Sequence, residues 1–242
     1  MYMNQKSALI TGAAKRIGKS IALHLAANGY GIAIHYNQSK KSALALQAEL
    51  QDRYPQQKFK IFQCDLGDTN QLENFIDRVM QHFDSLTVLV NNASVFEPGR
   101  LRETSVQLLN NQLDVNLKAP FILSRDYAMN NKYGNIINLL DTRITSNNSS
   151  YAAYSLSKVA LSYFTKMAAL EFAPNIRVNA IALGATLAPE GMGIEYLNSL
   201  AAKTPMKITG GIEPILQSLD YILTNDNLTG QILFCDGGEQ LL

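Results

Sequence analysis

The sequence predicts an α/β fold: one doubly wound parallel sheet of about seven strands with helices on both faces. Three observations carry that expectation. Strand-sized apolar runs alternate with segments of helical spacing, without a break in composition, an internal repeat or a low-complexity tract. The strand-like runs are nearly continuous in apolar residues, as strands covered on both faces are. The turns that follow them carry the polar and glycine-bearing motifs, where the ligand crevice of such a sheet lies. Residues 1–242 therefore read as a single domain.

Ser7–Thr11 is the first strand, ending in Thr-Gly, and Gly18–Asn28 has helical spacing through Ile21, Leu23 and Leu25. Gly31–Tyr36 is the second strand, Lys41–Arg53 a helix and Lys58–Gln63 the third strand. Asp68 is a helix N-cap, with Gln71 three residues on to complete a capping box. Leu86–Val90 is an apolar strand stopped by Asn91-Asn92, and Ser105–Asn130 reads as one long helix. Asn135–Leu140, Ile176–Ile181 and Gln231–Phe234 are the remaining strands, separated by helices over Ser150–Phe172 and Glu213–Thr224. Pro189, Gly191 and Gly193 interrupt regular structure across 188–205, which reads as a mobile substrate lid.

Lys+Arg 21 against Asp+Glu 20 leaves a net charge of +1 with no block of like charge, which excludes a nucleic-acid partner and favours a small molecule. The composition is 47% hydrophobic, enough for a sizeable core, yet no apolar run approaches the ~20 residues of a membrane span. The N-terminal residues match neither a signal nor a transit peptide. Cys64 and Cys235 are too few and too far apart for a zinc site or a disulfide framework. They fit packed thiols in a reducing cytosol, and no metal is expected.

Thr11-Gly12-Ala13-Ala14-Lys15-Arg16-Ile17-Gly18 is a strand-to-helix loop. Gly12 and Gly18 let its backbone approach a phosphate, and the helix N-terminus adds N–H donors and a positive dipole. The second strand ends in His35-Tyr36-Asn37-Gln38-Ser39-Lys40-Lys41, with no carboxylate to hold a free ribose hydroxyl. Together with the Arg16 guanidinium, these donors and cations favour the extra phosphate of NADPH. Tyr154 and Lys158 lie one helical turn apart and share a face. A tyrosine beside a buried cation loses its proton more easily, which makes Tyr154 an expected general acid/base.

These motifs resemble the short-chain dehydrogenase/reductase family, whose fold is of Rossmann type. The loop resembles its Thr-Gly-x-x-x-Gly-x-Gly with Arg16 at the middle glycine, Cys64-Asp65-Leu66 its acid after the third strand, and Asn91-Asn92-Ala93-Ser94 its Asn-Asn-Ala-Gly. The resemblance implies that Tyr154 is the proton donor and that Lys158 holds the nicotinamide ribose and lowers the Tyr154 pKa. It implies that Asn116 helps Lys158 through a water. It assigns the cofactor surface to Gly12, Arg16, Ile17, Gly18, His35, Tyr36, Asn37, Ser39, Asp65, Leu66, Asn92, Ala93, Ser94, Gly184 and Thr186. The family's Pro-Gly after the sixth strand reads Leu183-Gly184 here, so the proline ahead of Thr186 is missing.

Asp141 stands where ketone reductases of the family place a serine. A carboxylate there repels a developing alkoxide but helps to protonate a ring nitrogen. With Asn-Asn-Ala-Ser-x-Phe at 91–96 and His-Tyr-x-x-Ser at 35–39, the details resemble pteridine, dihydromonapterin and dihydrofolate reductases. That implies a pterin-like substrate bound by Ser94, Phe96, Asp141 and Tyr154, with Phe96 stacked on the ring. It also implies a homotetramer built through 105–130, 150–172 and the last strand. Two alternatives stay open: an NADPH-dependent reductase of a 3-oxoacyl thioester, and a non-catalytic NADP-binding sensor. Asp141 also has a purely structural reading, as a turn cap or a partner of Arg143.

Overall fold

Among the described residues the sheet has seven strands: β1 (Ser7–Ile10), β2 (Gly31–Tyr36), β3 (Phe59–Gln63), β4 (Leu86–Asn91), β5 (Gly134–Asp141), β6 (Ile176–Leu183) and β7 (Ile232–Cys235). Every neighbouring pair is parallel, in the order β3-β2-β1-β4-β5-β6-β7. The computed structural model describes residues 6–188 and 191–242, so residues 1–5 and Pro189 of the expected lid lie outside the described residues. The order reverses direction between β1 and β4, which opens a crevice at the strands' carboxyl ends. The longest pairing, β5 with β6, runs from Gly134 opposite Ile176 to Asp141 opposite Leu183. Asp141 thus sits at the lip of that crevice.

The helices are α1 (Arg16–Ala27), α2 (Lys40–Arg53), α3 (Thr69–Leu72), α4 (Phe75–Met80), α5 (Val106–Leu113), α6 (Ala119–Asn130), α7 (Ala152–Phe172), α8 (Ile194–Ala201) and α9 (Glu213–Thr224). Ile21 and Leu25 of α1, Leu46 and Leu50 of α2, and Ile215 and Leu219 of α9 cover one face of the sheet. Phe75 of α4, Leu123 of α6 and Leu161 and Phe164 of α7 cover the other. Each fully buried aliphatic or aromatic side chain contributes about 1.5–3 kcal/mol, so both layers are needed to seat strands as apolar as β1 and β2. None of the described helices is long and apolar enough to cross a membrane.

Three local departures from the sequence expectation have physical causes. The capping box forms side chain to side chain: Asp68 accepts from the Asn70 N–H, while Gln71 donates to Asp68 and accepts from the Asp65 N–H. Its helix stops after Leu72, because Asn74 is left-handed (φ 58°) and restarts the chain as α4. The helix expected over Ser105–Asn130 is interrupted by a π-turn at Asp114–Lys118, which turns Asn116 into the interior. The expected lid contains a helix, α8, whose Leu197 and Ala201 are buried.

Candidate active site

The nucleotide end is built around Thr11. Its hydroxyl accepts the backbone N–H groups of Asn92 and Ala93, each at 2.9 Å. Asn92 Nδ2 returns a hydrogen bond to Thr11 O at 2.7 Å, with Gly12 O at 3.3 Å. The β1 and β4 ends are therefore stitched across the crevice. Gly12 takes φ +64°, and a Cβ on Gly18 would fall on the Gly12 carbonyl and 2.6 Å from Asn92 Nδ2. The α1 N-terminus has no side-chain cap and no acid in its first turn. Backbone N–H groups at such an end remain available to an anion. These features fit the phosphates of a dinucleotide.

His35 is buried under this loop. Nδ1 accepts the Gly12 N–H at 2.9 Å and Nε2 donates to Cys64 O at 3.0 Å, so the ring is neutral and joins β1, β2 and β3. This corrects the expectation that His35 meets the cofactor: both ring nitrogens are already used. Burial pushes its pKa down from 6.5 to about 4, against the weaker pull of the Cys64 carbonyl and Asp65. The unfolded chain then binds a proton that the native one refuses. Stability from this residue is complete above pH 6.5 and declines by about 3 kcal/mol as the pH falls to 4. Urea midpoints across that window should show the decline in the wild type, and a His35→Gln variant should lack that component.

Other nucleotide-side expectations resolve individually. Tyr36 and Leu66 put their side chains into the core, not onto the cofactor surface. Asp65 accepts the Gly67 N–H at 2.9 Å, which shapes the turn after β3. Asn37 and Lys40 are exposed beside Ser39 at the α2 N-terminus, another acid-free helix start. Arg16 is corrected in direction. It adopts φ +52°, keeping the turn that a glycine would make, and its guanidinium donates to Ala188 O (3.1 Å) and Leu187 O (3.4 Å). It reaches from the α1 side across the cleft to the loop after β6, so the guanidinium is tied to that loop.

The chemical end gathers Asp141, Tyr154, Lys158 and Ser94 around a cleft of about 630 Å³, with Ile17 and Arg16 on the nucleotide side. Asp141 does two things at once. Oδ1 accepts the Arg143 N–H at 2.8 Å and caps the turn after β5, while Oδ2 accepts the Tyr154 hydroxyl at 2.9 Å. Burial and the Asp141 carboxylate raise the Tyr154 pKa well above 10, with Arg143 and the Ser94 hydroxyl opposing. This overturns the expected lowering of that pKa by Lys158. The Lys158 ammonium instead donates to Leu139 O at 2.9 Å and stands 5.8 Å from the Tyr154 ring centroid. Burial lowers Lys158 to about 8, with Asp141 pulling back, so it remains mostly protonated near neutrality.

Asn116 makes no hydrogen bond to Lys158 among the described residues. Its Oδ1 accepts from Ser94 Oγ (3.0 Å) and Val95 N (2.9 Å), and Nδ2 donates to Val95 O (3.0 Å), facing Gln112 and Ser157 as well. It is a positioning residue that holds the Ser94–Phe96 segment against α7. Phe96, half exposed, stacks on Tyr151 at 4.2 Å and meets Tyr154 edge-on at 4.6 Å. The Arg143 guanidinium lies 4.9 Å from the Tyr151 centroid. Thr186 is buried, its hydroxyl donating to Gly184 O.

A family model described as Enoyl-(Acyl carrier protein) reductase matches residues 12–240. The chain belongs to the short-chain dehydrogenase/reductase family. Among short-chain reductases it is 32% identical to the 3-oxoacyl-acyl-carrier-protein reductase FabG of Staphylococcus aureus, over 96% of this chain and 97% of that protein. It is 27% identical to a dihydromonapterin reductase of Klebsiella pneumoniae, with 96% of each chain covered. The structure of FolM alternative dihydrofolate reductase 1 from Brucella canis, complexed with NADP, superposes with a TM-score of 0.90 at 31% identity, over 99% of this chain and 95% of that one.

Within this short-chain reductase site, sequence reasoning missed Tyr151, the aromatic partner of Phe96, and Glu239, which lines the cleft from the C-terminal turn. His35 was expected at the cofactor, yet the sequence held a signal for its buried role. A histidine inside a strand buried on both faces has nowhere to point but inward.

Proposed function

We propose that this chain is an NADPH-dependent reductase of a dihydropterin, acting on a ring C=N bond. The observation that carries the reading is the 2.9 Å hydrogen bond from the Tyr154 hydroxyl to Asp141. The nucleotide end fits NADPH: glycine-bounded loop, free α1 N-terminus, and Ser39, Lys40 and Lys41 where a ribose-binding acid is absent. When bound, NADPH supplies the hydride. The protein's own part is to orient the ring and to deliver a proton to the nitrogen beside the reduced carbon. The phenol, whose pKa burial and Asp141 raise, is the proton source, and the pair regains its proton from water at the open cleft. Two unit charges 4 Å apart at an effective dielectric of 20 interact by about 4 kcal/mol, which stabilises an iminium-like transition state and penalises an alkoxide. Charge placement therefore favours C=N over C=O.

Lys158 holds the cofactor ribose in this reading, Thr186 its amide end, and Phe96 with Ser94 the pterin. The second reading, a 3-oxoacyl thioester reductase, draws on the similarity to FabG. The apolar face of α7, with Leu156, Val159, Tyr163, Met167 and Leu170 exposed at helical spacing, supports a homo-oligomer, in this reading a tetramer. One NADPH-oxidation assay separates the substrate readings: 7,8-dihydromonapterin, dihydrofolate and an acetoacetyl thioester at matched concentrations, with NADH as a control. Turnover of a pterin or folate with NADPH is expected. Turnover of the thioester alone overturns the proposal.

A further inference from the structure

The cleft holds a second carboxylate that the chemistry above leaves unused. Glu239 begins the 3-10 turn Glu239–Leu241 and lines the same cleft as Asp141 and Tyr154. Its backbone is fixed relative to Asp141 by a single buried acid, Asp236. Oδ1 of Asp236 accepts the Gly238 N–H at 2.9 Å, and Oδ2 accepts the Gln240 N–H at 2.9 Å and the Thr142 hydroxyl at 2.8 Å. The residues flanking Glu239, and the residue that follows Asp141, all hang on that one side chain. Gly184 backs the clamp, because a Cβ there would lie 2.7 Å from Asp236 Cα.

Among the described residues the Glu239 carboxylate accepts no hydrogen bond and joins no ion pair. Burial, Asp141 and Asp236 all push its pKa up, and only Arg143 opposes them. The Arg143 guanidinium is stacked over Tyr151. A partly desolvated acceptor without a partner is costly unless the ligand brings donors to it.

We propose that Glu239 is a specificity-determining residue whose carboxylate accepts the paired N–H donors of a 2-amino-4-oxopyrimidine edge, the ring N–H and the exocyclic amine. This rests on the pterin-reductase reading. Two parallel N–H···O bonds to one carboxylate are strong and directional. An acyl thioester offers no such donor pair and would cover Glu239 without pairing it, so the residue selects by penalty as much as by attraction.

The test is a cycle that changes both partners. NADPH oxidation is measured for wild type, Glu239→Gln and Glu239→Asp with a 2-amino dihydropterin and its 2-methyl analogue, and with an acetoacetyl thioester. In the wild type, loss of the amine should raise KM about 10-fold or more with kcat little changed. Glu239→Gln should raise KM for the amino compound by a similar factor and bring the two pteridines to within about threefold of each other. Glu239→Asp should retain part of the preference. NADPH binding, read by fluorescence, should be alike in all three proteins. Equal KM values for the two pteridines in the wild type overturn the inference, with no variant required. Undiminished preference in Glu239→Gln overturns it too. In both cases pterin turnover stands, so the functional reading survives; a wild type that reduces only the thioester removes both.

Discussion

Replacing Asp141 by serine should lower dihydropterin turnover about 100-fold or more, the scale on which a positioned acid/base group acts. The substitution removes the charge and the Oδ2 contact with the Tyr154 hydroxyl while keeping a turn-capping group. A serine hydroxyl can still cap the Arg143 N–H, now held by Asp141 at 2.8 Å, so the turn after β5 should persist. What disappears is the negative charge that, together with burial, raises the Tyr154 pKa and that offsets positive charge on the ring. NADPH affinity, set at the other end of the cleft, should be unchanged. A residual activity on acetoacetyl thioester should rise, because an alkoxide would no longer face a carboxylate. Steady-state kcat on both substrates, with a fluorescence titration of NADPH, checks all three. Undiminished pterin turnover in the variant would show that Asp141 is only a turn cap and remove the main support for a C=N substrate.

That double role of Asp141 shows what the sequence makes legible and what it does not. The sheet could be read because strands such as β2 are apolar along their whole length and because polar turns follow them. The nucleotide loop could be read because glycine has few substitutes where backbones touch. Side-chain direction could not be read. Arg16 turns to the Leu187 and Ala188 carbonyls across 171 and 172 residues of sequence, and no local pattern encodes that reach. The Tyr154–Lys158 spacing correctly puts both on one face of α7. Yet the pKa of Tyr154 follows its burial and the carboxylate of Asp141 from β5, not Lys158 one turn away. Helix α8 was hidden for a different reason: Pro189, Gly191 and Gly193 are breakers, but they precede the amphipathic segment at Ile194–Ala201 without entering it.

The second large effect belongs to Gly18. A methyl group added there would collide with the Gly12 carbonyl and come within 2.6 Å of Asn92 Nδ2. Both atoms already carry the stitch between β1 and β4: Asn92 Nδ2 donates to Thr11 O and Gly12 O, and the Gly12 N–H is held by His35 Nδ1. Neither neighbour is the free end of a flexible side chain, so the clash moves backbone. Overpacking of this kind costs about 1–3 kcal/mol of stability. The displaced backbone also ceases to fit a phosphate. Losing even two charge-assisted hydrogen bonds lowers affinity by about 100-fold or more. Gly18→Ala should therefore bind NADPH at least that much more weakly in a fluorescence titration, with only a modest fall in Tm. Gly193, at the start of α8, has φ −88° and open space within 4 Å of where a methyl group would lie, so Gly193→Ala should leave both values unaltered. Equal NADPH affinity in Gly18→Ala and Gly193→Ala would mean that the α1 loop does not cradle the cofactor's phosphates.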